Sequence, residues 1–222
     1  MTYEELLSRL KYNSHFSFTR WGDGEFTCMK AAYEETNRKF NTDKHEYFPE
    51  LGINLALVLE DYQGEKDYIH GLQGMSKREL PDLVQRFYYP YVKEPYTDSD
   101  ILHKASIKGY LDELFETLRK KDKIVLVGPD RMSGMRKYFD FNHVVIPDVN
   151  CWTEFTKVYR ILRLVPPNTT ILYCASMMSN VLIDEMWNQL DTWITQIDCG
   201  SVFEPYIGHS NRKYHQQIIN RK

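Results

Sequence analysis

In Lys123-Ile-Val-Leu-Val-Gly-Pro129, the residues from Ile124 to Val127 form an unbroken apolar, mostly β-branched run closed by a Gly-Pro pair. Apolar residues at consecutive rather than alternate positions fit a strand buried on both faces, as in a parallel sheet. Downstream, Met132 to Phe139 reads as a helix and His143 to Ile146 as the next strand. Cys151 to Leu164 reads as a helix with Phe155, Val158, Tyr159 and Leu162 on one side. Thr169 to Cys174 is another buried strand, Asn180 to Leu190 another helix, and Trp193 to Ile197 the last strand. Upstream, Ile101 to Lys121 supplies one or two helices, and Tyr96 to Ser99 is turn-like. Ser76 to Tyr91 opens with a Ser-x-x-Glu capping box that puts Pro81 in the first turn. Asp67 to Leu72 reads as a strand and Leu51 to Tyr62 as a helix, with the polar stretch Thr36 to Pro49 as an excursion over the active face. Tyr3 to Leu10 is a short amphipathic helix. This alternation predicts an α/β fold: a Rossmann-like, doubly wound, mostly parallel sheet flanked by helices, in one domain over 1–222.

The composition is that of an ordinary globular chain, 42% hydrophobic and 27% charged, and 222 residues suffice for a substantial core. A net charge of −3 supplies no global basic field to draw the chain to nucleic acid. No apolar run reaches the length of a membrane span, and the acidic, amphipathic start does not read as a signal peptide. Cys28, Cys151, Cys174 and Cys199 lack Cys-x-x-Cys spacing and sit among apolar neighbours. They are expected as buried free thiols in a reducing cytoplasm. His70, His103 and His143 lack metal-ligand spacing and are read as structural.

Phe16-Ser-Phe-Thr-Arg-Trp-Gly-Asp-Gly-Glu-Phe26 is the stretch richest in chemistry. Phe16, Phe18 and Thr19 read as a short strand, Gly22 and Gly24 as a turn, and Phe26 to Tyr33 as a helix. The two glycines let the backbone turn and approach a ligand closely. Asp23 and Glu25 then present two carboxylates at the C-terminal end of a strand, where open α/β sheets place their ligands. Paired oxygens of this kind suit a hard cation, Mg²⁺ or Mn²⁺, shared with phosphates. Arg20 adds a charge shaped for a phosphate or a carboxylate. The plainer reading is a tight Asp-Gly turn beside a surface ion pair.

Arg20-Trp-Gly-Asp-Gly-Glu25 resembles the Arg-aromatic-Gly-Asp-Gly-Glu signature of the GT-D glycosyltransferases, a family once catalogued as a domain of unknown function. The likeness extends more weakly to 123–129, Tyr173 to Asn180 and Ile197 to Pro205. The resemblance implies a hexosyl- or pentosyltransferase in which the Asp-x-Glu element, Asp23 and Glu25, holds Mn²⁺ or Mg²⁺ against a nucleotide-sugar donor, a UDP-sugar foremost. It suggests as acceptor a glycan of a bacterial surface protein or polysaccharide; a hydroxymethylated base of phage DNA is the other option.

The remaining strand ends complete the candidate site. Gly128 and Arg131 lie at a strand-to-helix turn that welcomes anions, without the Gly-x-Gly-x-x-Gly fingerprint or the Walker lysine. Ser176, Ser179 and Asn180 lie on a similar turn, as ligands of ribose or phosphate or as helix caps. Arg212 and Lys213 are candidates to meet the diphosphate. Asp198 and Glu204 are candidates for the base that takes the acceptor's proton. The rival reading is a non-catalytic nucleotide-binding module on the same scaffold.

Overall fold

The structure is a computed structural model and describes residues 1–33, 36–41, 43–62, 65–72, 97–188, 193–210 and 212–220. Seven strands make one sheet: β1 (Ser17–Trp21), β2 (Tyr68–Leu72), β3 (Thr97–Asp98), β4 (Ile124–Pro129), β5 (Asn142–Ile146), β6 (Thr170–Tyr173) and β7 (Thr195–Asp198). Their order is β3-β2-β1-β7-β6-β4-β5, and every pairing is parallel. The helices are α1 (Tyr3–Lys11), α2 (Asp23–Ala32), α3 (Pro49–Glu60), α4 (Ile101–Lys108), α5 (Leu111–Arg119), α6 (Phe155–Leu162), α7 (Met178–Trp187) and α8 (Lys213–Ile219).

The run at 124–127 shows why the sheet is covered on both sides. Ile124 and Leu126 pack into one core with Leu6 and Leu10 of α1, Leu102 of α4 and Phe115 of α5. Val125 and Val127 point the other way, into a core with Val158 of α6 and Leu182 of α7. A strand with two buried faces needs apolar side chains at every position. A third cluster, from Trp21, Phe26, Leu51, Leu55 and Leu72, joins α2 and α3 to the β1–β2 edge. Gly52 lets α3 lie against α2: a Cβ there would stand 2.5 Å from the Cys28 carbonyl oxygen and 2.6 Å from the Ala32 Cβ.

Four local expectations are corrected. The helix after β1 starts at Asp23 rather than Phe26, because Gly22 is its N-cap and Glu25, at the third helical position, accepts the Gly22 N–H at 2.8 Å. Asp130–Lys137 winds as a 3₁₀ helix, drawn against the 204–207 turn where a Cβ on Gly134 would meet Ile207 at 2.9 Å. The segment from Cys151 begins with a 3₁₀ turn to Glu154 before α6. Thr97–Asp98 is a two-residue strand on Gly71 and Leu72, not a turn. The expected helix Ser76 to Tyr91 lies outside the described residues. The four cysteines are buried and free.

Candidate active site

The chain leaves β1 towards β2 and β3 on one side, while β7, β6, β4 and β5 occupy the other. The carboxyl ends of β1 and β7 therefore flank a topological switch point, the position at which open α/β sheets bind ligands. A cavity of about 900 Å³ lies there, lined by the loops after β1, β4, β5, β6 and β7. The polar excursion reaches it as expected: Arg38, Asn41, Asp43, Lys44, His45 and Tyr47 belong to its wall. Asn150, in left-handed conformation at φ 58°, ties that segment down. Its amide oxygen accepts the Glu46 N–H at 2.8 Å, and its own N–H donates to His45 Nδ1 at 3.1 Å.

Arg20, Gly22, Asp23, Gly24, Glu25, Arg131, Ser176, Asp198, Glu204 and Arg212 all line this one cavity. Trp21 anchors their strand from below. Its indole N–H donates to Thr19 Oγ1 and His70 Nδ1, both at 3.0 Å, while His70 Nε2 meets the Asp61 carbonyl at 2.9 Å. That network assigns the His70 proton to Nε2. Asp23 and Glu25 stand on the first turn of α2, where the unpaired N–H groups and the helix dipole favour negative charge. Burial raises the Glu25 carboxyl above its ordinary range. Burial also lifts Asp198 to about 7, with Arg20 pulling it down and Glu25 pushing it up. Asp198 accepts the Gly200 N–H at 2.9 Å.

The arginines are set against carboxylates. Arg20 donates from Nε to the Ser99 carbonyl at 2.8 Å and from Nη2 to Asp100 at 3.3 Å. Arg131 pairs with Asp148, and with Glu204 at 2.7 Å. Arg212 pairs with Asp43. Gly200 is built for this crowding: it adopts φ +51°, and a Cβ there would fall on the Arg20 guanidinium. The backbone freedom expected of Gly22 and Gly24 is used at Gly200 instead, since Gly22 is extended at φ −125° and Gly24 is helical.

Other expected residues lie elsewhere. Ser179 and Asn180 are fully buried. Ser179 Oγ accepts the Ala175 N–H at 3.3 Å. Asn180 grips the Arg20 backbone, accepting its N–H at 3.2 Å and donating to its carbonyl at 2.9 Å. Gly128 packs among Leu126, Met132 and Cys174, and its carbonyl meets His143 Nε2 at 3.0 Å. Lys213 is exposed at the start of α8, outside the cavity wall. Asp100, His103 and Tyr214 line the cavity although none of them belongs to a sequence motif. They arrive from α4 and α8, and only the Asp100-x-x-His103 spacing hints that two of them share a helix face.

Among the described residues, no group of three or more His, Cys, Asp or Glu side chains is arranged to hold a metal ion. The pair Asp23 and Glu25 nevertheless fits Mg²⁺ or Mn²⁺, which takes one or two protein carboxylates and fills its shell with phosphates and water. No helix among the described residues is long and apolar enough to cross a membrane.

No family model matches the sequence, and no curated protein matches it. Solved structures match over nearly the whole chain. One, described as showing that the highly conserved domain of unknown function 1792 has a distinct glycosyltransferase fold, aligns with a TM-score of 0.67 at 20% identity, over 93% of this chain and 79% of that one. A selenomethionine structure of the same domain gives 0.66 at 20% identity over the same shares. A further one, described as a new glycosyltransferase from Streptococcus sanguinis, gives 0.65 at 18% identity over 95% and 85%. At these identities the likeness is one of fold: the chain is similar to structures with a glycosyltransferase fold.

Proposed function

We propose that the chain is a glycosyltransferase that moves a sugar from a nucleotide-sugar, a UDP-sugar foremost, to an acceptor hydroxyl with the help of Mn²⁺ or Mg²⁺. The observation that carries this reading is the meeting of Arg20, Asp23, Glu25 and Asp198 in one cavity at the switch point, on a fold similar to structures described as glycosyltransferases. About 900 Å³ is at the upper end of small-molecule sites and accommodates a nucleotide-sugar.

Asp23 and Glu25 would hold the cation, which when bound supplies positive charge against the leaving diphosphate. Arg131 and Arg212 face the same cavity and add fixed charge for phosphate oxygens. Asp198 is the better placed of the two candidate bases. It lines the cavity beside Arg20, whereas Glu204 is engaged by Arg131 at 2.7 Å and faces His215 at 3.8 Å. Glu204 in this scheme holds Arg131 in place, and Asp198 takes the acceptor's proton.

Charge at the mouth favours a neutral glycan over DNA as acceptor. The lining holds seven carboxylates, those of Asp23, Glu25, Asp43, Asp100, Asp148, Asp198 and Glu204, against six cations, those of Arg20, Arg38, Lys44, Lys104, Arg131 and Arg212, whereas a duplex is held by surplus cations. The test is a screen of UDP-sugars for cation-dependent release of UDP, with Asp23→Ala abolishing turnover, followed by glycan and hydroxymethylated duplex DNA acceptors. Tight nucleotide binding without turnover under any condition would make the chain a binding module instead.

A further inference from the structure

Asp100 occupies the N-cap position of α4 without a side-chain capping bond, and His103 stands one turn on, on the same helix face. His103 is only 7% exposed, yet among the described residues its Nδ1 has no hydrogen-bond partner, an arrangement native interiors rarely tolerate. Nδ1 lies 4.0 Å from Asp100 Oδ1, too far for a mutual hydrogen bond. One oxygen can bridge them: at about 2.8 Å from each atom, the angle at that oxygen is about 90°.

Both groups are held in advance of any ligand. Arg20 donates to Asp100 Oδ1 at 3.3 Å. The Tyr214 ring stands edge-on to His103 with centroids 5.2 Å apart, and its hydroxyl is fixed by Ser201 Oγ at 2.8 Å. Burial and the neighbouring Arg20 hold the His103 imidazole well below its ordinary pKa, so it is neutral and can give one hydrogen bond at Nδ1. An anion is repelled by the Asp100 carboxylate, and an apolar group would leave Nδ1 unsatisfied. A hydroxyl satisfies both, accepting from the imidazole and donating to the carboxylate.

We propose that Asp100 and His103 form a hydroxyl-binding pair that recognises one specific hydroxyl of a sugar, either the one being moved or the one receiving it. This rests on the transferase reading and deepens it. The test is a functional-group cycle on the full chain with Mn²⁺. The turned-over UDP-hexose, and a methyl glycoside acceptor, are each compared with their monodeoxy analogues in wild type, His103→Ala and Asp100→Asn. In wild type, deleting one hydroxyl lowers kcat/KM roughly 10- to 100-fold. In either variant the parent sugar falls by a similar factor and that same deletion then changes nothing. His103→Asn, which offers an amide near the place of Nδ1, recovers part of the discrimination, a result loosened folding does not give. A silent deletion in the donor series assigns the pair to the sugar being moved; one in the acceptor series assigns it to the receiver. Equal discrimination at every position in wild type and variants overturns the proposal, leaving the pair as a water site only. Should no nucleotide-sugar be turned over, the transferase reading fails by itself. Saturation-transfer NMR with methyl glucoside then decides the pair: contact in wild type that is lost in His103→Ala upholds it, and no contact overturns it.

Discussion

Two single residues fix how the end of β1 presents Arg20. β7 pairs with β1 only at Ser17 and Phe18, so the Arg20 backbone has no strand partner on that side. Asn180, from α7, supplies the missing donor and acceptor through one side-chain amide. Asn180→Ala leaves two backbone groups unsatisfied in a half-buried setting and is expected to cost about 2–4 kcal/mol, read from denaturant midpoints; a loss under 1 kcal/mol would mean that water replaces the amide without penalty. Gly200 acts on the other end of the same residue, at the Arg20 guanidinium. Gly200→Ala requires a non-glycine residue at φ +51° and drives a methyl into the guanidinium. Gly109→Ala is the control, because Gly109 is also left-handed, at φ +81°, with open space around it. Both variants are expected to lose about 1–2 kcal/mol from backbone strain, and only Gly200→Ala to lose most of its donor turnover. Matching turnover in the two variants would separate Arg20 from the chemistry.

At the scale of elements, β2 and α7 share a buried acid that the proposed reaction does not use. The Asp184 carboxylate on α7 accepts from the Tyr68 hydroxyl at 3.4 Å; burial, with Asp61 adding to it, raises its pKa to about 7. The unfolded chain releases this proton near the ordinary value of 3.8, so stability falls as pH rises from about 4 to 7 and stays low above. Burial holds His70 of β2 down at about 4, which acts oppositely: stability falls as pH drops from 6.5 towards 4. Asp184→Asn keeps an acceptor for Tyr68 and is expected to raise Tm at pH 8, the gain vanishing near pH 4; an equal shift at both pH values would rule out ionisation as its cause. These elements also show what a single sequence discloses. Consecutive apolar residues at 124–127 and 171–173 announce strands buried on both faces, and the structure has them. Thr97–Asp98 is too short to carry any period. A 3₁₀ segment such as 130–137 differs from an α-helix by about half a residue per turn, which eight residues do not resolve. Glu25 spends one oxygen capping its own helix, and Gly22-Asp-Gly-Glu25 spells a helix start as well as it spells a turn.

Across the whole molecule, the all-parallel order places the ends of β1 and β7 side by side, so Asp23, Glu25 and Asp198 meet although 175 positions separate the first from the last. Those carboxylates were legible because strand ends can be read from apolar runs and the sheet gathers strand ends. Asp100, His103 and Tyr214 were not, because helix packing on one face of the sheet brings them in, and packing partners leave no local pattern. Three carboxylates gathered in partly desolvated surroundings repel one another, as the upward push of Asp23 on Glu25 and of Glu25 on Asp198 records. On the proposed reading a cation together with a diphosphate would relieve that repulsion only in the folded chain, so binding would add to stability. With Mn²⁺ and UDP each near a hundred times its Kd, the gain is about 2.7 kcal/mol for one linked site, or roughly 5–10 °C in Tm for a chain of this size. Chelation of the metal, or Asp23→Ala, is expected to remove most of that shift while leaving the ligand-free Tm nearly unchanged, because Asp23 is exposed on the first turn of α2. A UDP-induced shift of the same size in the presence of EDTA would place the nucleotide in the cavity without the ion and transfer the work of holding the diphosphate to Arg131 and Arg212.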